Sequence, residues 1–340
     1  MTQKFKVFLV DKTEDNQFHT SIVEQNFDNL PPGEVLIQVA YSSLNYKDAL
    51  SATGHPGVTQ KFPHVPGIDA AGTVVKSSNS QYKKDDLVIV TGYDLGMNTW
   101  GGFAEYIRVP AEWVVPLPNG LTLEESMILG TAGLTAGLCI NALIENSISP
   151  ALGEIIVTGA TGGVGSLAVS ILSQLAYQVV AATGKTESHQ WLKQLGATTI
   201  IDRFLTDNHQ RKPLLPERWA GAVDTVGGNT LATILKSTQY NGCVAACGLV
   251  GGAELPTTVY PFILRGVSLI GIDSVQCSGL KRYGSRHAAR TQIWAKLGKE
   301  WKPHDLAAIS HTIGLEQLPE KIEGILNGKI QGRTVVNLQQ

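Results

Sequence analysis

Cysteine is scarce and unevenly placed: the chain has 4 in 340 residues, Cys139, Cys243, Cys247 and Cys277, and the first 125 residues carry none. These four sit among apolar or small residues without the spacing of a disulfide framework, which points to a reducing cytosol. Zinc is disfavoured by the same shortage. A structural site wants close cysteine pairs and a catalytic one three protein ligands, yet Cys243 and Cys247 flank Val244, Ala245 and Ala246 in a strand pattern. Net charge is lacking too: 27 basic against 29 acidic side chains leave −2, so no nucleic-acid partner is expected. The opening MTQKFKVFLVD alternates like a strand, without the apolar core or cleavage site of a signal peptide. Long apolar runs are missing except at 127–144, which is uncharged over 18 residues and close to the lower limit for a membrane span. Gly130, Thr131, Gly133, Thr135, Gly137 and Asn141 make that run a poor lipid-facing helix. It reads as a buried helix at a domain junction, and no membrane partner is expected.

Residues 1–125 lack any helix-period segment long enough for a parallel crossover. Strand patterns at 5–10, 34–40, 72–75, 87–91 and 103–109 are separated by Pro31-Pro32-Gly33, 54–57, Pro66-Gly67 and Gly101-Gly102, the pattern of an antiparallel barrel without crossover helices. Over 126–274 the texture alternates, with strands at 154–158, 178–182, 198–202, 221–226, 243–247 and 267–273 and helices at 165–176, 187–195 and 230–240. That alternation implies βαβ units and a doubly wound parallel sheet. Thr186 and Ser188 are cap candidates for the middle helix, and Gly196 closes it. After about residue 275 there remain one amphipathic pattern at 286–297 and a closing strand at 333–337. If that strand returns to the first domain, residues 1–125 and 275–340 form one domain into which 126–274 is inserted.

The stretch EIIVTGATGGVG at 154–165 organises the second domain. An apolar strand runs into Gly159, Gly162, Gly163 and Gly165, followed by apolar residues at helical spacing. Glycines allow close backbone approach, and the first N–H groups of the helix, at the positive end of its dipole, receive phosphate. Ala160-x-Gly162-x-x-Gly165 is a dinucleotide fingerprint with its first glycine replaced. About 20 residues on, where an NAD site places an acid for the ribose, the chain reads Thr183-Gly184-Lys185. A hydroxyl and a cation suit a 2′-phosphate, which makes NADPH the expected cofactor, the competing reading of Lys185 being a solvated lysine at a helix start. With no metal to polarise an alcohol, hydride addition to an activated C=C bond is the favoured chemistry.

Ser42-Ser43-Leu44-Asn45-Tyr46-Lys47-Asp48 gathers hydroxyl, amide, amine and carboxylate just after a strand. Tyr46 is the candidate for touching the nicotinamide or donating a proton, Asn45 for orienting a carbonyl or water; the competing reading is a capped turn followed by one helical turn. Asp69, in PGIDAAG, reads as satisfying turn amides. Lys281, Arg282, Arg286, His287 and Arg290 read as a solvated helix face, with coenzyme A phosphates as the alternative partner. His55 and His64 read as exposed loop residues.

Taken with SSLNYKDAL (42–50), PGIDAAGTV (66–74), WGGFAEY (100–106), GTAGLTA (130–136), VTGATGGVG (157–165), WAGAVDTVGG (219–228), GCVAACGLVGG (242–252), LPTTVYPFILRGVSLIGIDSV (255–275) and IQGRTVV (330–336), the chain resembles the zinc-free quinone oxidoreductase branch of the medium-chain dehydrogenase/reductase superfamily, nearest the acrylyl-CoA reductase (NADPH) group. The resemblance implies a GroES-like catalytic barrel interrupted by a Rossmann domain. It implies cofactor contacts at Tyr46, Thr161, Gly162, Gly163, Val164, Thr183, Gly184, Lys185, Leu249, Ile263, Ser274 and Asn327. Zinc-dependent relatives carry Gly-His-Glu where this chain has Gly67-Ile68-Asp69, which implies metal independence. It also implies a homodimer joined through the edge strand at 267–273. The expected substrate is acrylyl-CoA, reduced to propionyl-CoA, with quinones or small α,β-unsaturated ketones and aldehydes as alternatives. A non-catalytic NADPH-binding sensor is the reading from a different class.

Overall fold

The computed structural model describes residues 4–206, 212–277 and 286–339. The chain divides into two compact units, Met1–Thr131 with Leu280–Lys299 and Asp305–Gln340, and Ala132–Gly279 with Glu300–His304. Each unit is thus built from more than one stretch of chain, and the first division, between Thr131 and Ala132, falls inside a helix.

In the first unit, β1 (Lys4–Lys12) and β2 (Phe18–Asn26) form an antiparallel hairpin. They are followed by β3 (Val35–Leu44), the short helix α1 (Tyr46–Ala52), β4 (Asp69–Ser77), β5 (Leu87–Thr91), β6 (Tyr106–Val109) and β7 (Val114–Pro116). Val35, Ile37 and Val39 alternate into a core with Val74, Val88, Val90, Ile107 and Val109. Register shifts at Leu36/Ile37 and Val39/Tyr41 of β3 then break the alternation. Beyond them Ser42, Ser43 and Leu44 are all buried, so the bulged strand delivers two hydroxyls into the interior.

The uncharged run lies in α2 (Leu123–Glu145), and its most apolar window is 94% buried. A helix apolar on every side belongs inside a protein core. It is kinked at Gly130, whose φ of 50° and ψ of −154° are non-helical. In the second unit, β8 (Glu154–Val157), α3 (Gly163–Gln174), β9 (Gln178–Thr183), α4 (His189–Gln194), β10 (Thr199–Asp202), β11 (Trp219–Asp224), α5 (Gly228–Ser237), β12 (Thr238–Ala246), α6 (Tyr260–Arg265) and β13 (Ser268–Gly271) follow in turn. The six strands are parallel in the order β10-β9-β8-β11-β12-β13. The direction of winding reverses between β8 and β11, and in such sheets ligands bind beyond the strand carboxyl ends at that point. No side-chain cap hydrogen bond forms at Ser188 or at the residue preceding Thr186, while Gly196 does close α4 with φ 104°.

The chain ends with α7 (Arg286–Leu297), β14 (Ser310–Ile313), α8 (Leu318–Leu326) and β15 (Arg333–Asn337). Strand β15 belongs to the first unit and pairs antiparallel with β3, Thr334 opposite Leu44. The sheet there has 7 strands, β14-β15-β3-β4-β5-β7, with β6 also on β3. The helix face expected to be solvated is partly internal. Arg290 is fully buried, donates to the Thr91 carbonyl (2.7 Å) and hydroxyl (2.8 Å), and lies 4.5 Å from the Tyr93 ring centroid. Its guanidinium replaces water with a carbonyl, a hydroxyl and an aromatic face. Lys281 and Arg282 lie outside the described residues.

Candidate active site

The carboxyl ends of β8 and β11, the strands on either side of the reversal, are bound to each other. Thr158 donates its hydroxyl to Asp224 (2.7 Å) and accepts the Thr225 amide (3.0 Å); Thr225 returns its hydroxyl to the Thr158 carbonyl (2.9 Å). Asp224 also accepts the Gly227 amide (2.8 Å), and burial raises its carboxyl above the usual range. This frame, which sequence patterning did not reveal, holds the glycine turn. Gly159 sits at φ 56°, and the nearest atom to a Cβ placed at Gly165 is the Gly159 carbonyl oxygen. Helix α3 starts at Gly163 with Gly162 as its cap residue, no side-chain cap bond and no acid in its first turn. Its positive end is thus left for an external anion. Thr161 is buried, and Gly162, Gly163 and Val164 are half-buried.

At the end of β9, the Thr183 hydroxyl accepts the Lys185 amide (3.0 Å). Burial pulls the Lys185 ammonium below its usual range, opposed by Glu187. A second cation stands here that sequence reasoning missed. Arg203 follows β10, the parallel neighbour of β9, and packs on Gly184 so closely that a Cβ there would lie 2.8 Å from the Arg203 Nε. Asp202, the last residue of β10, turns its carboxylate to the Phe204 amide (2.9 Å). Leu249 follows β12 and is exposed; Ser274, just past β13, is buried and accepts the Thr135 hydroxyl at 2.7 Å. Of the expected contacts in this unit, Ile263 alone is away from strand carboxyl ends, exposed on α6.

In the first unit, Tyr46 begins α1 and is 41% exposed, and Asn327 caps α8, a helix packed on α1. The Asn45 Nδ2 donates to Asp69 (2.8 Å), Asp48 (3.2 Å) and the Ser43 carbonyl (3.2 Å), and its Oδ1 accepts from Arg333 (3.1 Å). Both ends of the amide thus have partners inside the protein, and Asn45 is the cap residue of α1. Asp48 accepts the amides of Asn45 (2.7 Å), Gly67 (3.1 Å) and Ile68 (2.8 Å). The turn amides expected to bind Asp69 thus go to Asp48. Burial and the nearby Asp69 charge push the Asp48 carboxyl up to about 7, against the pull of those donors.

Asp69 is occupied elsewhere. It accepts Ser43 Oγ (2.7 Å), the Thr131 hydroxyl (2.6 Å) and the Thr131 amide (2.9 Å), and lies 3.9 Å from Arg333. Arg333 is wholly inside: its Nε donates to the Ile128 carbonyl (2.9 Å), one terminal nitrogen to the Leu44 carbonyl (3.3 Å) and Asn45, the other to Ser43 Oγ (2.8 Å). Burial depresses its ionisation, and Asp69 and Asp48 oppose that. His64, read as exposed, is buried, and burial lowers its ionisation; His55 is exposed as expected.

Family models match the chain at residues 31–119, as an alcohol dehydrogenase GroES-like domain, and at 163–283, as a zinc-binding dehydrogenase. Zinc does not fit the residues present: Ile68 and Asn45 offer no imidazole or thiolate beside the acids. Among the described residues no group of three or more His, Cys, Asp or Glu is placed to hold a metal. The acrylyl-CoA reductase AcuI of Ruegeria pomeroyi is 44% identical over 335 residues, covering 98% of this chain and 99% of that protein. The crystal structure of the yhdH oxidoreductase of Salmonella enterica in complex with NADP matches with a TM-score of 0.92 at 44% identity, over 98% of this chain and 99% of that one. YhfP of Bacillus subtilis with NAD bound matches with 0.94 at 44% identity, over 99% and 100%.

Proposed function

The chain belongs to the medium-chain dehydrogenase/reductase superfamily, in the group that holds AcuI and YhfP, and from that membership and the site geometry we propose that it is an NADPH-dependent, metal-independent reductase of activated C=C bonds. Acrylyl-CoA, reduced to propionyl-CoA, is the substrate we favour. The observation carrying the cofactor reading is the paired cations, Lys185 and Arg203, at Gly184, where no acid ends β9. NADPH supplies the hydride for the β-carbon. On the protein side, the uncapped start of α3 with Gly162 and Gly163 receives the pyrophosphate, and Lys185 and Arg203 receive the 2′-phosphate. Thr161, Val164, Thr183, Leu249, Ile263, Ser274 and Asn327 complete the proposed contacts. Tyr46 stands by the reacting atoms, where its hydroxyl stabilises the developing enolate; the α-carbon takes its proton from Tyr46 or from water.

YhfP, whose name refers it to the quinone oxidoreductases, supports a second reading with a quinone or small enone as acceptor. NADPH oxidation with acrylyl-CoA and with a quinone at matched concentrations separates the two; negligible turnover of the thioester removes the first. If no acceptor oxidises bound NADPH, the chain is a sensor. The enzyme works in a reducing cytosol, in keeping with four free cysteines. A homodimer completes the proposal: β13 ends the parallel sheet, and Val259, Tyr260, Ile263 and Leu264 form an exposed apolar run beside it. An unpaired edge strand next to exposed apolar surface calls for cover.

A further inference from the structure

Arg333 is a buried cation, and among the described residues the hydrogen bonds of its guanidinium fall on two places. One is the segment Ser43, Leu44 and Asn45, immediately before Tyr46; the other is the Ile128 carbonyl, two residues before the Gly130 kink. Asp69 repeats that choice. It binds Ser43 and Asn45 on one side and Thr131, just after the kink, on the other. A buried ion pair is weak evidence for stability, because apolar groups of equal volume often serve as well, and its best-attested use is to fix geometry. Helix α1 has 7 residues, too few to hold its own direction in isolation. Tyr46, its first residue, is 41% exposed and so gains limited anchorage from its own packing.

We propose that Arg333 is a positioning residue for Tyr46: with Asp69 it clamps Ser43, Leu44 and Asn45 against the Gly130 kink, and so fixes the point from which Tyr46 projects. This rests on the assignment of Tyr46 to the reaction. Neither Arg333 nor Asp69 touches substrate. Their contribution reaches the reacting atoms through the backbone at residue 45, so it is felt in turnover and leaves the nucleotide contacts of the other unit alone. Lysine in place of Arg333 keeps the charge but presents a single ammonium, which cannot serve residues 43, 44, 45 and 128 together.

A double-mutant cycle tests it, using NADPH oxidation with acrylyl-CoA, or with a quinone should the thioester be inert. Tyr46→Phe is expected to lower kcat about 10-fold, and Arg333→Lys to lower it by a similar factor with KM for NADPH within about twofold of wild type. The double variant is expected to be no slower than Tyr46→Phe by more than about twofold, because the second change removes the orientation of a group already gone. Losses that multiply, or wild-type kcat in folded Arg333→Lys, overturn the positioning role while leaving Tyr46 in the reaction. Wild-type kcat in Tyr46→Phe overturns the Tyr46 assignment and the inference with it. Should Arg333→Lys fail to fold, Ser43→Ala decides: it deletes the hydroxyl that both Arg333 and Asp69 use, with an expected loss of about threefold in kcat that must likewise vanish in the Tyr46→Phe background.

Discussion

Lys185 and Arg203 approach Gly184 from neighbouring parallel strands. In β9 and β10, Thr183 stands opposite Asp202 in register, so the residues that follow come together beyond the sheet. Each cation is expected to make a charge-assisted bond to a 2′-phosphate worth about 1.5–3 kcal/mol, or about 10- to 100-fold in affinity. Lys185→Asp should therefore raise Kd for NADPH by at least that factor and leave NADH nearly unchanged, and Arg203→Ala should do the same more mildly; titration of both nucleotides checks it, and equal losses for the two would refute the assignment. Thr183-Gly184-Lys185 was legible because its residues are adjacent in the chain. Arg203 was hidden because its partnership depends on the register of two strands. Asp48 carries a second prediction. Its folded value of about 7 lies above the unfolded value of about 4. The stability it contributes is therefore fully present below about pH 4 and is lost as pH rises through about 7. Asp48→Asn removes that titration, so the stability of wild type relative to the variant should fall between these limits and stay level above them in urea melts. A constant difference would leave Asp48 an ordinary ionised carboxylate.

Among the elements, α2 shows how local composition can be right about environment and silent about shape. Its lack of charge and its small residues pointed to burial, and 94% of its apolar window is indeed inside. Nothing in GTAGLTA announces the kink. Gly130 occupies a backbone region open essentially to glycine, and a Cβ there would lie 2.6 Å from Asp69 Oδ2, 2.7 Å from Ser43 Oγ and 2.9 Å from an Arg333 terminal nitrogen. Gly130→Ala is expected to destabilise the protein by about 2–4 kcal/mol through strain and displacement of the ion pair, measured by equilibrium denaturation; a loss below about 1 kcal/mol would mean that the kink relaxes freely. The barrel strands and the βαβ alternation were readable because each repeats a period. β14, α6 and α8 are short segments without enough period to register, and the Arg333 network joins residues up to 290 positions apart, beyond any local pattern.

For the whole molecule, the exposed run on α6 and the edge position of β13 make assembly the measurable quantity. Leu264→Asp should convert the proposed dimer to monomer in sedimentation runs at micromolar concentration, with NADPH affinity preserved. Ile263→Asp should do the same and in addition weaken NADPH binding if Ile263 meets the cofactor. A monomeric wild type would remove the dimer from the proposal.

The place of Arg333 in the last strand also bears on biosynthesis. Chains fold from the amino end as they are made, and domains close as units. The parallel sheet has all its strands once Gly271 has emerged. The first unit, begun earlier, must wait for β15, because until Arg333 arrives Asp69 has no guanidinium beside it and the 41–44 end of β3 lacks the antiparallel partner it has there. The unit begun first on the ribosome is thus the unit completed last, and a nascent chain stalled before residue 333 has every strand of the parallel sheet but lacks the guanidinium that lies against Asp69 in the finished first unit.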